Sequence, residues 1–246
     1  MFWWKPCSNV VLASSPYTSD ADLSLNPKLV SNEPLLNEAM QGAGFELIIP
    51  DGPGLWTRTE MINGQSYPIE VDLLVPKTLA PKLGRRAAHL PPHDKRATRH
   101  VAGLEATIFD HTPMQVPSLN PEQDPRELTV KVAGPAALLV AKAFKIRDRI
   151  NDSAAKPHRL ADKDAGDVMR LMMATGGGLR PTFERLTHEG QIHDVMTEGC
   201  DLLWEQFGFP RAAGVQMAVN ALAGDMDEGR IRLLAPAFVE ANVPQR

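Results

Sequence analysis

Two short stretches of the chain alternate acidic with apolar residues. The first runs Thr18-Ser19-Asp20-Ala21-Asp22-Leu23-Ser24-Leu25, the second Ile69-Glu70-Val71-Asp72-Leu73-Leu74-Val75. Strict alternation is the signature of a half-buried strand, because side chains two apart share a face. Asp20 and Asp22 therefore point one way, as do Glu70 and Asp72, while Ile69, Val71, Leu73 and Val75 make the apolar face of the second strand. Leu74 falls on the acidic side, which predicts partial cover of that face. Between the two strands, Ser31 or Asn32 is positioned to cap a helix with Pro34 in its first turn and Leu35, Leu36, Ala39, Met40 and Ala43 as its apolar face. Phe45 to Ile49 reads as a short strand. Leu55 to Ile62 and Tyr67 to Val75 flank Asn63-Gly64, a dipeptide suited to a tight hairpin.

The pattern weakens from Pro76 to Val101, a basic and proline-bearing stretch expected to be loop. His89 and His93 stand four apart there, but Pro91-Pro92 between them argues against a helical zinc pair. Strands are expected at Leu104 to Phe109 and Met114 to Ser118, with Leu128 to Val132 as the last strand of the sheet. From Pro135 the period turns helical. Leu139, Ala143, Ile146 and Ile150 form an apolar stripe, and Lys142, Lys145 and Arg149 a basic one. A second helix is expected from Asp162, with Val168, Leu171 and Met172 inward and Gly176-Gly177-Gly178 as its stop. Further helices are expected near 181–189, 194–207, 211–224 and 228–241. The fold class is thus α/β (α+β), with an α/β core over 1–132 and a helical region over 133–246.

Composition narrows the chemistry. The 246 residues are 43% hydrophobic, enough for a substantial core, and the net charge of −4 provides no global field for nucleic acid. Cys7 and Cys200 fit no metal spacing and point to a reducing, cytoplasmic setting. No apolar run reaches the length of a membrane span. Carboxylates that share a face repel one another unless a cation neutralises them. If the two acidic strands are neighbours, three or four carboxylates converge, and a hard, oxygen-seeking ion such as Mg²⁺ or Mn²⁺ is the natural partner. Phosphoryl and nucleotidyl transfer require that combination: acid-held metal, plus cations such as Lys142 and Arg149 for the phosphates. Asp164 and Asp167, on one side of the following helix, are placed to orient Lys142 or Arg149. The bland alternatives are a wet edge strand and a solvated basic helix face.

The residues then resemble a known family. Thr-x-Asp-x-Asp before a helix, then Gly-Phe and a strand, then Val-Asp-Leu-Leu, is similar to the nucleotidyltransferase fold of the DNA polymerase β superfamily. The run Ala136-Ala137-Leu138-Leu139-Val140-Ala141-Lys142, followed by Arg149, Lys163-Asp164 and Asp167, resembles its abortive-infection toxin-type branch. The resemblance spans Thr18 to Thr175. It implies a mixed sheet flanked by helices and a metal-dependent transfer of a nucleoside monophosphate from a nucleoside triphosphate. Asp20, Asp22 and Asp72 would be the metal-binding carboxylates, with Asp72 also helping to activate the acceptor. Ser8, Ser19, Lys142, Arg149 and Lys163 would lie on the nucleotide and phosphate side, with Glu70, Asp164 and Asp167 behind them. In the toxin-type branch the acceptor extends to nucleic acid such as tRNA, and an antitoxin-like protein partner is implied by analogy. One departure stands out: the family's glycine turn before the first Asp has no counterpart, since no glycine precedes Gly42 and Ser8 stands where the family has its serine. Three alternatives follow: a start that is shortened, a catalytically degenerate member that binds nucleotide or a partner protein, and, ranked low, a metal-using glycosyltransferase.

Overall fold

A computed structural model describes residues 20–48, 52–62, 64–80, 82–83, 86–118, 121–152 and 162–245. The chain is a mixture of α and β. It divides into two compact units, which among the described residues cover 20–105 and 106–245.

The first unit is built on a mixed seven-stranded sheet: β1 (Asp20–Ser24), β2 (Glu46–Leu47), β3 (Leu55–Ile62), β4 (Gln65–Pro76), β5 (Lys82–Leu83), β6 (Ala87–Ala88) and β7 (Arg99–Val101). The β3–β4 hairpin pairs antiparallel as expected, from Ile62↔Gln65 down to Leu55↔Asp72. The alternation in β4 places Val71 and Leu73 in a buried cluster with Trp56 and Ala97. Around that cluster pack Ala21, Leu25, Phe45 and Leu47, and Leu36 and Met40 from the helix α1 (Leu36–Gly42). The Trp56 indole N–H donates to the Ala97 carbonyl at 3.0 Å, so this large ring is buried without an unsatisfied donor.

Three expectations are corrected here. Neither Ser31 nor Asn32 caps α1. The helix begins later, and its first amide, Leu36 N–H, donates to His93 Nδ1 at 3.2 Å. An imidazole from 57 residues away thus satisfies an orphan helix donor, which also gives the buried His93 a role unrelated to zinc. Second, the basic stretch 76–101 is not wholly loop, because β7 adds to β4 in parallel. Third, 104–109 is not a strand. It holds a 3₁₀ turn over Glu105–Ile108, entered at a fully buried Glu105. The Glu105 carboxylate accepts from Thr78 N–H at 3.0 Å, the Thr78 hydroxyl at 3.1 Å and Gly103 N–H at 2.9 Å. Three donors, two of them from Thr78 27 residues away and one from the neighbouring Gly103, offset the burial of that charge.

The second unit begins with a hairpin, β8 (His111–Pro117) and β9 (Glu127–Ala133), which forms a sheet of its own. Residues 128–132 therefore do form a strand, but not one in the larger sheet. Among the described residues six helices follow: α2 (Pro135–Asp152), α3 (Lys163–Thr175), α4 (Arg180–Thr187), α5 (His193–Phe207), α6 (Ala213–Ala221) and α7 (Glu228–Asn242). Each lies within a few residues of the periodic segment that predicts it. The N-terminus of α2 is held by Asp110, whose carboxylate accepts from Ala137 N–H at 2.9 Å. Gly176 ends α3 in the left-handed conformation, φ 63°, with its N–H on the Met172 carbonyl. Leu139, Ala143, Ile146, Val168, Met169, Met196, Leu203 and Phe207 are buried, as apolar faces of packed helices should be.

Candidate functional site

The two acidic strands are neighbours. β1 runs parallel to β4 with Asp20 opposite Glu70 and Asp22 opposite Asp72. Residues in register on adjacent parallel strands project to the same side, so one sheet face carries all four carboxylates. Cover increases across it. Asp20 and Asp22 are exposed, Glu70 and Asp72 are partly buried, and Leu74, next on the same face, is buried. The reason is topological: β4 is flanked on one side by β1 and on the other by β3, whose place β7 takes from Leu74 onwards.

That exchange of neighbours brings in a residue the sequence reading did not single out. Arg99 is in register with Leu74 and so lies on the acidic face, where its guanidinium forms an ion pair with the Asp72 carboxylate. Gly54 makes room for it. This residue sits beside Leu73 just before β3 begins, donating to the Arg96 carbonyl at 2.9 Å and accepting from Leu73 N–H at 2.8 Å. Its φ is +81°, and a Cβ there would lie 2.7 Å from Arg99 N and 2.8 Å from the Leu73 carbonyl oxygen. Nothing local in the sequence marks Arg99 among the other basic residues of 76–101. Only the pairing of β7 with β4 does.

The oxygen-only donor set on this face suits a hard divalent ion in its chemistry. In its described geometry it is not gathered into a metal cage: among the described residues no three His, Cys, Asp or Glu side chains are grouped to hold a metal. On this face Arg99 forms an ion pair with Asp72.

In the second unit, α2 and α3 bring together four residues picked from the sequence. The Lys142 ammonium lies 2.9 Å from Asp164 Oδ1 and 2.9 Å from Asp167 Oδ2. Asp164 is also 2.5 Å from Arg149 and 3.3 Å from Lys145, and Asp167 is 3.4 Å from Arg170. Lys142, Asp164 and Arg170 are all buried. Burial works against the charged form of Lys142, but Asp164 and Asp167 outweigh it and hold its pKa above the ordinary lysine value. Burial likewise opposes the Asp164 carboxylate, and Lys142, then Lys145 and Arg149, reverse the balance and hold it below the usual range. Arg149 and Lys145 keep partial exposure at the edge of the cluster. The expected pairing of Asp164 and Asp167 with the basic stripe is present, with Lys142 as the shared partner and Arg149 on Asp164 alone. Arg170 and Lys145 complete the cluster and were not among the expected site residues. The i, i+3 spacing of Asp167 and Arg170 is the sequence signal by which Arg170 was open to being found.

Lys163 is exposed at the first residue of α3. Ser8 and Ser19 lie outside the described residues. No helix among the described residues is long and apolar enough to cross a membrane. No protein-family model, curated protein or solved structure matches the chain.

Proposed function

We propose that the chain is a cytoplasmic, metal-dependent nucleotidyltransferase that moves a nucleoside monophosphate from a nucleoside triphosphate to an acceptor hydroxyl, with RNA, protein and small molecules as the acceptor classes to test. One observation carries the reading: the parallel register of β1 and β4, which sets Asp20 and Asp22 beside Glu70 and Asp72 on one face. In this reading Asp20, Asp22 and Asp72 hold Mg²⁺ or Mn²⁺, which when bound neutralises charge on the phosphates. Asp72 receives the proton of the acceptor hydroxyl as its oxygen attacks the α-phosphorus, and the bond to the β-phosphate oxygen breaks to release pyrophosphate. Within the second unit, Asp164 and Asp167 enclose Lys142 and leave Arg149 and Lys145 as the more exposed cations of that cluster.

A second reading has its own support. The ion pair between Arg99 and Asp72, and the absence of a gathered metal cage among the described residues, favour a degenerate member that binds nucleotide or a partner protein without transfer. Calorimetry with each of the four nucleoside triphosphates, with and without Mg²⁺, separates the two. The enzyme reading expects metal-dependent binding that Asp22→Asn removes while the melting temperature stays within a few degrees of the parent, since the change takes one charge from a repulsive cluster. Metal-independent binding that survives Asp22→Asn would overturn it in favour of the second reading, and binding of nucleotide-sugars alone would overturn both.

A further inference from the structure

We propose that β9 is a self-association edge. It pairs antiparallel with β9 of a second copy of this chain, across a two-fold axis at Thr129, and joins two hairpins into one four-stranded sheet. The inference is independent of the nucleotidyltransferase reading.

Hydrogen-bond parity identifies the edge. Gly134 N–H donates to the Asp110 carbonyl at 2.8 Å and Ser118 N–H to the Arg126 carbonyl at 3.0 Å, one at each end of the β8–β9 ladder. Bonded pairs alternate along an antiparallel ladder, so between those ends they are Thr112↔Val132, Met114↔Val130 and Val116↔Leu128. The backbone groups of the odd-numbered residues therefore point outward on both strands. On β8 these positions include Pro113 and Pro117, which have no N–H to offer a further strand. On β9 they are Glu127, Thr129, Lys131 and Ala133, each with its donor. Among the described residues β9 pairs with β8 alone, and Glu127, Leu128, Thr129 and Lys131 are exposed. Proline closes one edge of the hairpin and leaves the other open.

The side chains choose the occupant. Glu127-Leu128-Thr129-Val130-Lys131 is complementary to its own reverse. Antiparallel pairing about Thr129 sets Glu127 opposite Lys131 of the second copy and Lys131 opposite its Glu127. The same register brings outward backbone groups against outward backbone groups, so hydrogen bonding and charge agree. Leu128 then faces Val130 of the second copy. It is 66% exposed in the single chain, at the open end of an apolar face that also holds Met114, Val116, Val130 and the buried Val132. The Thr129 hydroxyl donates to Gln115 of its own hairpin at 2.7 Å, so the central pair is already satisfied on the polar face. An unrelated strand would meet two uncompensated charges of opposite sign, whereas a second copy meets their complements. A lone two-stranded hairpin is marginal in water, and three or more strands with an apolar face are the stable alternative.

The test is sedimentation equilibrium of the full chain over a wide concentration range, where the parent is expected to show a reversible monomer–dimer equilibrium. Thr129→Pro removes an outward N–H at the centre of the pairing and touches no β8–β9 hydrogen bond, so it is expected to be monomeric with the parent's far-ultraviolet spectrum. Glu127→Lys and Lys131→Glu each set two like-charge pairs across the axis, and each is expected to dimerise roughly tenfold more weakly than the parent. Mixing these two variants restores opposite charges at both pairs, and their heterodimer is expected to form with near-parent affinity. Damage to the hairpin itself would not be rescued by mixing, so the charge variants decide the matter if Thr129→Pro does not fold. A parent that stays monomeric at every concentration overturns the proposal, as does a dimer that all folded variants leave unchanged. Weakened single variants that mixing does not rescue overturn the two-fold pairing at Thr129.

Discussion

Replacing Lys142 with methionine should show what the buried charge cluster contributes. Methionine keeps most of the stem and removes the ammonium, leaving Asp164 and Asp167 facing an apolar atom. The two contacts of Lys142 are each 2.9 Å long, and the side chains of Lys142, Asp164 and Asp167 are 10%, 4% and 9% exposed. At an effective dielectric constant near 20, each contact is worth about 6 kcal/mol of gross attraction, most of it offset by desolvation. Removing one partner of a buried pair costs roughly 3–5 kcal/mol, because the other charge stays buried. Arg149 and Lys145 still face Asp164, so about 3 kcal/mol is the expected loss, read as a shift in the urea midpoint of the helical unit. The loss should also depend on pH in a defined way. Asp164 is held below its ordinary pKa, so its contribution is complete above about pH 4 and fades as pH falls through the lower folded value. Lys142 is held above its ordinary pKa, so its contribution is complete below about pH 10 and fades as pH rises through the higher folded value. The gap between parent and Lys142→Met should therefore be flat from about pH 4 to pH 10 and narrow outside that window. A variant within about 0.5 kcal/mol of the parent at pH 7 would refute the claim that this network holds α2 to α3.

Gly54→Ala should destabilise the sheet unit by about 3 kcal/mol in urea denaturation, because it forces an L-residue to φ +81° and sets a methyl against two backbone atoms that cannot yield; a loss below about 1 kcal/mol would mean that β7 shifts to make room. Cys200 should resist alkylation in the native protein at pH 8 and react fully in urea, read by peptide mapping, because burial pushes its thiol up to about 11 against the opposing hydrogen bond from Thr187. Native modification at an exposed-thiol rate would show that α5 opens locally.

What the sequence could reveal was local. Alternation over a few residues marks β1 and β4, and the 3.6-residue period marks α2 to α7, because both report which side chains must leave water, whatever lies opposite. With Ile62 paired to Gln65, a connection of only two residues leaves little choice in the antiparallel register of β3 on β4. Lys142, Arg149, Asp164 and Asp167 were legible as a group because two helices close in sequence bury few charges without pairing them.

Only tertiary structure decided the rest. Whether β1 lies beside β4, and in what register, turns on parallel pairing across some fifty residues, which no turn dictates. The cap of α1 comes from His93 and the hold on Thr78 from Glu105, both polar groups brought from afar to meet backbone donors that would otherwise be buried unpaired. The strand expected at 104–109 failed for the same reason: an apolar run is ambiguous until the partner of its one buried charge is known. Arg99 shows the limit most clearly. In the sequence it is one basic residue among several in a proline-bearing stretch. A three-residue strand, admitted beside the glycine that precedes β3, brings it into an ion pair with Asp72, because an ion pair depends on distance in space and not on separation along the chain.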